Sequence, residues 1–399
     1  MIKPSISTQT TMPILLPVHK IKPPLWMRDP DLLYVLNVLN KGDLNARMVG
    51  GCIRNYYMSK NIYDIDIACK LLPEKSQEIL ENASIRVIAT GVEHGTITAH
   101  INGKNFEVTT LRKDVNTDGR HAKVEFSESW EEDARRRDFT INALYADSDG
   151  SIYDPLGTGL KDLEDRKVRF IGNAKNRIQE DYLRILRFFR FYAEYHEGDP
   201  DPEALDACKD LKNNICALSD ERIYDELHKM LKLSTAHRGI EAMVRIQLFD
   251  LQKQDAEHLK SLITLQNQLN LDDVPTRIFI LNKLNKYIKN NKINNFFKLL
   301  NEFIDAWDGH VKKALYHFDR DVVVQGLLVI KSRGGIVDDM IISDAMNMRP
   351  PEFPIVASDI MEQFKISEGP EVGEKMKAAE QIWIDSGFTL HRQDILEKL

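Results

Sequence analysis

Strand-like alternation of apolar and polar residues is confined to the first third of this chain, and no other feature of the sequence restricts its fold as strongly. From about Asp162 onward, apolar residues recur at intervals of three and four, as in residues 181–195, 221–233 and 277–303. That spacing is typical of helices with one buried face. The sequence therefore predicts a mixed α/β part followed by an all-helical part.

Turn signals bound several elements of the first third. A helix is predicted from Pro73 through Asn82. Asn102-Gly103 separates two strand-like runs, residues 96–101 and 106–111. This pair predicts a hairpin, because a tight primed turn needs positive φ at both central residues.

The overall composition suits a multidomain chain without a membrane segment. Its 399 residues, 43% of them hydrophobic, can bury more than one core. No run approaches the roughly 18 apolar residues of a membrane helix, and the first residues lack the pattern of a signal peptide. We therefore expect a cytoplasmic protein. The four cysteines form no Cys-x-x-Cys pair and are expected to be reduced: Cys52, Cys69, Cys208 and Cys216.

The net charge of -7 argues against binding of nucleic acid through overall charge. Any contact with RNA must therefore be local. Residues 274–301 contain Arg277 and five lysines but no acidic residue. Four of these lysines are candidate RNA-binding residues, with a solvated helix face as the alternative: Lys283, Lys286, Lys289 and Lys292.

Gly50-Gly51 lies at a predicted strand-to-helix turn, between a strand at residues 46–49 and a helix that reaches Lys60. Missing side chains let backbone N–H groups approach a phosphate at the start of a helix, and Arg54 adds a forked donor. A tight turn without a ligand is the alternative.

Asp64 and Asp66 lie on the next predicted strand, residues 64–68, where alternation places both carboxylates on one face. Two adjacent like charges are costly without a cation, and a pair of Mg²⁺ ions bridging them to nucleotide phosphates removes that cost. Glu107 is an acid within another strand-like run, so it is either a third carboxylate facing the pair or an exposed strand residue.

Residues 136–143 combine charged groups with Phe139 and Ile141, which suits the floor of a pocket. Arg137 could meet a triphosphate, and Asp138 could accept a hydrogen bond from a ribose hydroxyl. An ion-paired helix start is the alternative reading.

Asp181 and Arg184 are expected to be i, i+3 neighbours on one helix. A carboxylate plus a guanidinium complements cytosine and adenine, each of which presents an amino donor beside a ring-nitrogen acceptor. Guanine and uracil present the reverse pattern. Arg187 and Arg190 wind away along the helix, so we expect them to meet phosphate or to brace the structure. A simple intrahelical ion pair between Asp181 and Arg184 is the alternative.

Taken in order, these motifs resemble those of the class II tRNA nucleotidyltransferase and bacterial poly(A) polymerase family. The resemblance covers residues 25–235 closely and also includes Asp154-Pro155 with Gly157 and the run from Glu221 to Leu227. It implies an α+β fold in which a polymerase β-like mixed-sheet nucleotidyltransferase head precedes an all-helical neck, body and tail. The expected ranges are an N-terminal arm at 1–25, loosely ordered, the head at 26–160, the base-recognising neck at 161–235, the RNA-binding body at 236–348 and the tRNA-binding tail at 349–399.

The resemblance also implies roles for single residues. Asp64 and Asp66 would be metal ligands, with Glu107 as third catalytic carboxylate. Residues 113–123 correspond to the loop that helps the family's enzymes switch from CTP to ATP. Nucleotide-binding positions correspond to Gly50, Gly51, Arg54, Arg137, Asp138, Asn142, Asp181, Arg184, Arg187 and Arg190.

The activity implied is template-independent addition of CCA to tRNA 3′ ends from CTP and ATP, with two Mg²⁺ ions as cofactor and release of pyrophosphate. The expected partner is the 3′ end and acceptor arm of tRNA, with no membrane or protein partner. Poly(A) addition, CC-only addition and A-only addition are alternatives within the family. A metal-dependent nucleotide-sugar glycosyltransferase also uses Asp-x-Asp, but it would not need Asp181, Arg184 or the helical half.

Overall fold

The structure, a computed structural model, describes residues 15–92, 95–118 and 121–399. The chain divides into two compact units, Met1–Leu248 and Phe249–Leu399. Strands lie in the first unit and helices make up the second, so the predicted α+β class is confirmed. In the described part of the chain, no helix has the length and apolar content needed to cross a bilayer.

The first unit is built on an eight-stranded mixed sheet and a separate two-stranded ribbon. Its strands are β1 (His19–Lys20), β2 (Ala46–Val49), β3 (Asp66–Cys69), β4 (Arg86–Gly91), β5 (Thr96–Ile101), β6 (Lys104–Thr110), β7 (Arg112–Asp118), β8 (His121–Phe126), β9 (Tyr145–Ala146) and β10 (Ser151–Tyr153). The sheet order is β1-β10-β9-β2-β3-β6-β5-β4, and β7 pairs with β8 in the ribbon. Only β3 and β6 pair in parallel among the described strands, which brings the starts of both strands to one edge.

In the described part of the first unit, ten α-helices accompany this sheet or follow it in the chain. They are α1 (Pro30–Leu39), α2 (Gly51–Tyr57), α3 (Pro73–Asn82), α4 (Trp130–Arg135), α5 (Gly159–Glu164), α6 (Ala174–Glu180), α7 (Leu183–Tyr195), α8 (Pro202–Leu211), α9 (Asp220–Leu231) and α10 (Ala236–Arg245). Helix α7 carries the fully buried Phe188 and Phe189. The Phe188 ring also packs near Phe139 of the head. These aromatic contacts join the sheet part to the helical part.

The predicted hairpin is confirmed. Asn102 and Gly103 have φ of 49° and 78°, and Ile101 pairs with Lys104 across the two-residue turn. The bounds of α3 also agree with the prediction.

Two predicted boundaries are wrong. Helix α2 ends at Tyr57 rather than Lys60, since Ser59 has a φ of 52° that a continuing helix does not allow. Strand β3 begins at Asp66, so Asp64 precedes the strand.

The N-terminal arm is partly built into the sheet, contrary to the expected loose order. His19 pairs with Ile152, and Gly150 approaches this segment so closely that a Cβ would lie 2.1 Å from the Ile21 carbonyl oxygen. Backbone hydrogen bonds from Val18 to Ile152 and from Ile21 to Gly150 attach this segment to the edge of the sheet. Residues 1–14 of the predicted arm lie outside the described residues.

The second unit is helical in the described residues. Its helices are α11 (Lys253–Gln268), α12 (Val274–Ile280), α13 (Asn291–Ala306), α14 (Val311–His317), α15 (Arg320–Ser332), α16 (Asp339–Asn347), α17 (Ala357–Phe364), α18 (Pro370–Asp385) and α19 (Arg392–Lys398). The helical stretch expected at 277–303 is split by a 3-10 turn, and α13 starts afresh where the Asn290 side chain accepts hydrogen bonds from the N–H groups of Lys292 and Ile293.

The helical subdivisions differ from the expected ranges at one point. Helix α10 was expected in the body, but it packs on α7 and α9, where the Cβ position of Gly239 lies 2.6 Å from Met230 Sδ and 3.1 Å from the Phe189 carbonyl oxygen. The boundary between the compact units accordingly falls after Leu248. The expected tail does have its own apolar cluster, which includes Ile360 and Trp383.

Candidate active site

Gly50 joins β2 to α2 in a conformation that favours glycine. Its φ is 71°, and its N–H donates to the Leu144 carbonyl oxygen over 3.0 Å. A Cβ here would lie 3.4 Å from both Arg137 Nη1 and the Asn142 carbonyl oxygen. The glycine turn therefore lies directly against two other predicted site residues.

Arg54, on the first turns of α2, is held from two sides. Its Nη1 donates to Asn142 Oδ1, while its Nε and Nη2 donate to Asn55 Oδ1 over 3.3 and 3.2 Å. The predicted members Gly50, Arg54, Arg137 and Asn142 are thus brought together in one cluster.

The predicted acids meet across the parallel strand pair. Asp66 is in register with Glu107, and the following residues Ile67 and Val108 are buried on the opposite face. Asp64 lies in the segment before β3, and its negative charge repels that of Asp66. Burial first, and then the negative charges of Glu107 and Asp64, raise the pKa of the Asp66 carboxyl, while Arg137 and Arg54 oppose the rise.

This acid group suits a hard divalent cation. No set of three Asp, Glu, His or Cys side chains forms a ready-made metal site within the described ranges. Mg²⁺ is usually bound by one or two carboxylates together with water and substrate phosphates, so a ready-made site is not required. The unfavourable ionisation of Asp66 indicates negative charge that a cation would compensate.

A buried acid that the motif analysis did not single out organises the arginines beside the site. Asp133 of α4 is 1% exposed and binds Arg136 at 2.7 Å, Arg137 at 3.1 Å and the Tyr145 hydroxyl at 2.7 Å. Burial opposes its ionisation, but Arg137 and Arg136 nonetheless hold the pKa of Asp133 at about 2. The only sequence signal was an acid placed four residues before Arg137 on a short helix.

Asp138, which was expected to accept a hydrogen bond from a ribose hydroxyl, bonds protein groups on both of its oxygens. Its Oδ1 accepts from the Phe139 N–H and from Asn142 Nδ2, each at 2.9 Å. Its Oδ2 accepts from Arg187 Nε at 2.8 Å and Nη2 at 2.7 Å. Because a carboxylate has about four acceptor positions, this buried group is saturated and serves to hold Asn142 and Arg187.

The expected pairing of Asp181 with Arg184 on one helix is not what the structure contains. Asp181 has extended backbone angles between α6 and α7, and its Oδ2 accepts from Arg222 Nη2 at 2.8 Å. Arg184 instead donates to Glu180 at 2.5 Å and to the Arg177 carbonyl oxygen at 2.8 Å. The helix breaks here because Asp181 Oδ1 accepts from the Leu183 N–H, as a helix cap does.

This arrangement also removes the simple ion pair that was the alternative reading. Asp181 and Arg184 are each fixed by a different partner, and both side chains are partly exposed. Each can therefore present remaining donors or acceptors to a ligand without first breaking a mutual contact. Sequence reasoning included Arg222 in a motif but gave it no role.

Arg187 and Arg190 are both held by a carboxylate, which agrees with the expectation that they brace the structure. Glu226 of α9, which is 4% exposed, binds Arg190 Nε at 2.7 Å and lies 3.6 Å from Arg187 Nη1. The buried glutamate thus connects α9 to the arginine row of α7.

The candidate RNA-binding lysines of the second unit do not share one helix face. Lys283 Nζ contacts the Asp250 carbonyl oxygen and lies 3.7 Å from Asp255, while Lys286 lies 5.1 Å from the Tyr287 ring centroid. Lys289 lies between the 3-10 turn and α13, and Lys292 is in the first turn of α13. Arg277 of the same segment is only 2% exposed and bonds Gln266, so it is not a surface cation.

The predicted switching loop at 113–123 forms most of the β7–β8 ribbon. Gly119 and Arg120 of that loop lie outside the described residues. Lys113, at its start, lies 3.4 Å from Glu125.

Comparisons with known proteins agree with this architecture. Residues 46–169 match the family described as "Poly A polymerase head domain", and residues 199–252 match "Probable RNA and SrmB- binding site of polymerase A". The chain is 34% identical over 381 residues to the human "CCA tRNA nucleotidyltransferase 1, mitochondrial", with 89% of this chain and 86% of the relative covered. It is 29% identical over 393 residues to a "CCA-adding enzyme" of Streptococcus pyogenes, with 92% and 96% covered.

Solved structures share the fold. The CCA-adding enzyme of Bacillus stearothermophilus in complex with CTP has a TM-score of 0.65 at 24% identity, covering 92% of this chain and 94% of that one. The Thermotoga maritima CCA-adding enzyme complexed with tRNA has a TM-score of 0.68 at 16% identity, covering 93% and 95%.

Proposed function

This chain belongs to the CCA tRNA nucleotidyltransferase family, and from that premise we propose that it adds the CCA end to tRNA from CTP and ATP, releasing pyrophosphate. The observation that carries the proposal is the register of Asp66 with Glu107 beside Arg54 and Arg137. Acids next to phosphate-binding arginines are the arrangement that nucleotidyl transfer to a hydroxyl requires.

Asp64, Asp66 and Glu107 are the residues that would hold magnesium, and we infer two ions. Bound Mg²⁺ would stabilise the negative charge that develops on the phosphate and on the attacking and leaving oxygens. These carboxylates lie together where the start of β3 meets the middle of β6.

The arginines and the glycine turn would bind the triphosphate. The N–H groups at the start of α2 and the guanidinium of Arg54 face the same cluster as Arg137. Asp133 and Asp138 act as positioning residues in this proposal, since each holds one or more arginines in a fixed direction.

Asp181 and Arg184 would select the base. The carboxylate accepts from an exocyclic amino group and the guanidinium donates to a ring nitrogen, a pattern common to cytosine and adenine. Arg222 holds the first and Glu180 the second, which keeps both at defined positions at the start of α7. A nucleotide-sugar glycosyltransferase would not require this pair.

Poly(A) addition and partial CC or A addition are tested together with the main proposal. The protein is incubated with tRNA lacking its CCA end and with each NTP separately and combined, and the 3′ ends are sequenced. The proposal predicts CCA ends with CTP plus ATP and arrest after CC with CTP alone. Homopolymeric A tails, or arrest at CC with both nucleotides, would contradict it.

Two further assignments belong to this proposal. The 3′ end and acceptor arm of tRNA would be bound with help from Lys283, Lys286, Lys289 and Lys292. We also propose that the protein is cytoplasmic. Imaging of the tagged protein against mitochondrial and cytoplasmic markers would test this in a cell that has both compartments. In a cell without mitochondria, fractionation would test it.

A further inference from the structure

We propose that Tyr195, in the last turn of α7, is a positioning residue that orients the guanidinium of Arg54 toward the β and γ phosphates of the bound nucleotide. The inference rests on the proposed function. Tyr195 is not part of any sequence motif that suggested that function.

The aromatic contact is close and buried. The Arg54 guanidinium carbon lies 4.4 Å from the Tyr195 ring centroid and 5.1 Å from that of Phe191. Tyr195 is 5% exposed and Phe191 is 3% exposed. A guanidinium over an aromatic face is attracted by the negative charge density of the ring, and the attraction increases when water is excluded.

The edges of the guanidinium are fixed by the same group of residues. The Tyr195 hydroxyl donates to Asn55 Oδ1 at 3.2 Å, the atom that also accepts from Nε and Nη2 of Arg54. Nη1 is bonded to Asn142, and Arg54 also interacts with the Tyr195 hydroxyl. A guanidinium has five N–H donors, so donors would remain for a phosphate.

The way Arg54 is held differs from that of the other candidate arginines. Arg137, Arg184, Arg187 and Arg190 each pair with a carboxylate. Arg54 has no carboxylate within ion-pair distance in the described residues, and its hydrogen bonds go to neutral amides. An aromatic ring can orient a cation without neutralising it, so Arg54 keeps its charge for an anion, although Asp66 interacts with it at longer range.

Lys60 provides a comparison on the same ring. Its Nζ lies 4.6 Å from the Tyr195 centroid but also 3.1 Å from Glu194, so its charge is compensated. Of the two cations on Tyr195, Arg54 is therefore the one left to bind phosphate.

The test compares nucleotides that differ in phosphate number. Calorimetric affinities for CTP and CMP are measured with Mg²⁺ for the wild type, Tyr195→Met and Tyr195→Phe. Tyr195→Met should weaken CTP binding by about twofold to thirtyfold, the range of a cation–π contact, and weaken CMP binding less. Tyr195→Phe keeps the ring but loses the hydroxyl bond to Asn55, so its CTP affinity should lie closer to the wild type than that of Tyr195→Met.

Tyr192→Met is the matched control. Tyr192 lies on the same helix at 6% exposure, but its hydroxyl donates to the Gly198 carbonyl oxygen and its ring lies under Arg238 instead of Arg54. It should leave the ratio of CTP to CMP affinity unchanged. Circular dichroism melts confirm that each variant is folded at the assay temperature.

A folded Tyr195→Met with the wild-type ratio of CTP to CMP affinity would overturn the role of Tyr195. So would full additivity of Arg54→Ala and Tyr195→Met in a double-mutant cycle, because contacting groups must couple. If the wild type itself does not prefer CTP over CMP, or Arg54→Ala does not change that preference, the triphosphate assignment in the proposed function fails, and the role of Tyr195 with it.

Discussion

Asp66 and Glu107 lie side by side on adjacent parallel strands, and their mutual repulsion adds to burial in raising the pKa of the Asp66 carboxyl. A carboxyl whose pKa is raised in the folded state destabilises that state when it is ionised. The ionised Asp66 carboxylate therefore destabilises the folded state. Active sites often contain groups that reduce stability because function requires them.

Asp66→Asn should accordingly change activity and stability in opposite directions. We expect nucleotide addition to fall by at least about a hundredfold, the scale of losing one charged group that stabilises a transition state. We expect the Tm without Mg²⁺ at pH 7 to rise, because the repulsion is removed. Calorimetric melting and a primer-extension assay measure the two effects. Glu81→Gln, at an exposed acid of α3, is the control that should change neither, and a lower Tm for Asp66→Asn would contradict the electrostatic account.

His196 should make stability depend on pH. It is 1% exposed, its Nδ1 accepts from the Val168 N–H at 3.0 Å, and its Nε2 donates to the Asp199 carbonyl oxygen at 2.7 Å. Burial lowers its pKa in the folded state against the opposing hydrogen bond with Asp199, and the positive charges of Lys167 and Arg238 add to the lowering. The neutral ring thus stabilises the fold fully above the unfolded pKa of about 6.5, and that stability is lost as pH falls below it.

The pH effect is measured by urea unfolding at pH 7.5 and 5.5. The wild type should lose on the order of 1 kcal/mol more free energy of unfolding between these values than His196→Gln, which cannot be protonated. Equal losses in the two proteins would show that the ring does not titrate with unfolding.

The lysines at 283, 286, 289 and 292 should contribute to tRNA affinity in a salt-dependent manner. Replacing all four with Gln should raise the Kd and flatten the slope of log Kd against log salt by up to about 0.9 for each lost phosphate contact. The double variant Lys253→Gln and Lys298→Gln is the control, because both lysines already face glutamates one turn along their own helices. An unchanged slope in the fourfold variant would show that these lysines do not contact RNA phosphates and are ordinary solvated side chains.

Local patterns predicted much of the fold. The hairpin at Asn102-Gly103 and helix α3 follow from turn chemistry and proline placement, which act over a few residues. Glu107 facing the aspartates was one of two interpretations open from the sequence, but the alternation invoked for Asp64 and Asp66 does not apply, because Asp64 precedes β3.

What sequence reasoning did not predict depends on contacts between distant residues. The periodicity of apolar residues continues past Asp181, so the apolar pattern alone does not mark the helix break there. Asp181 accepts from the Leu183 N–H as a local cap, and its side chain is also held by Arg222, which reaches it from α9. Asp133 was similarly hidden, because burial of an acid among two arginines and Tyr145 is visible only in three dimensions.

We propose that Asp181 and Arg184 select cytosine and adenine in a site where the acids of β3 and β6 support nucleotide transfer. A wrong base would leave a buried polar group unpaired, at about 1 to 3 kcal/mol or roughly tenfold to hundredfold for each group. Removing either side chain should therefore reduce the preference for CTP and ATP over UTP and GTP. Asp64→Ala should instead lower incorporation of all four nucleotides alike.

The most direct measurement is single-nucleotide extension of tRNA lacking its terminal residues, with each NTP in turn, by the wild type, Asp181→Ala and Arg184→Ala. We predict that both variants lose CTP and ATP incorporation more than UTP and GTP incorporation, so that the selectivity ratio falls at least about tenfold. Retention of the wild-type ratio by both variants would contradict the account and place base selection elsewhere in the molecule.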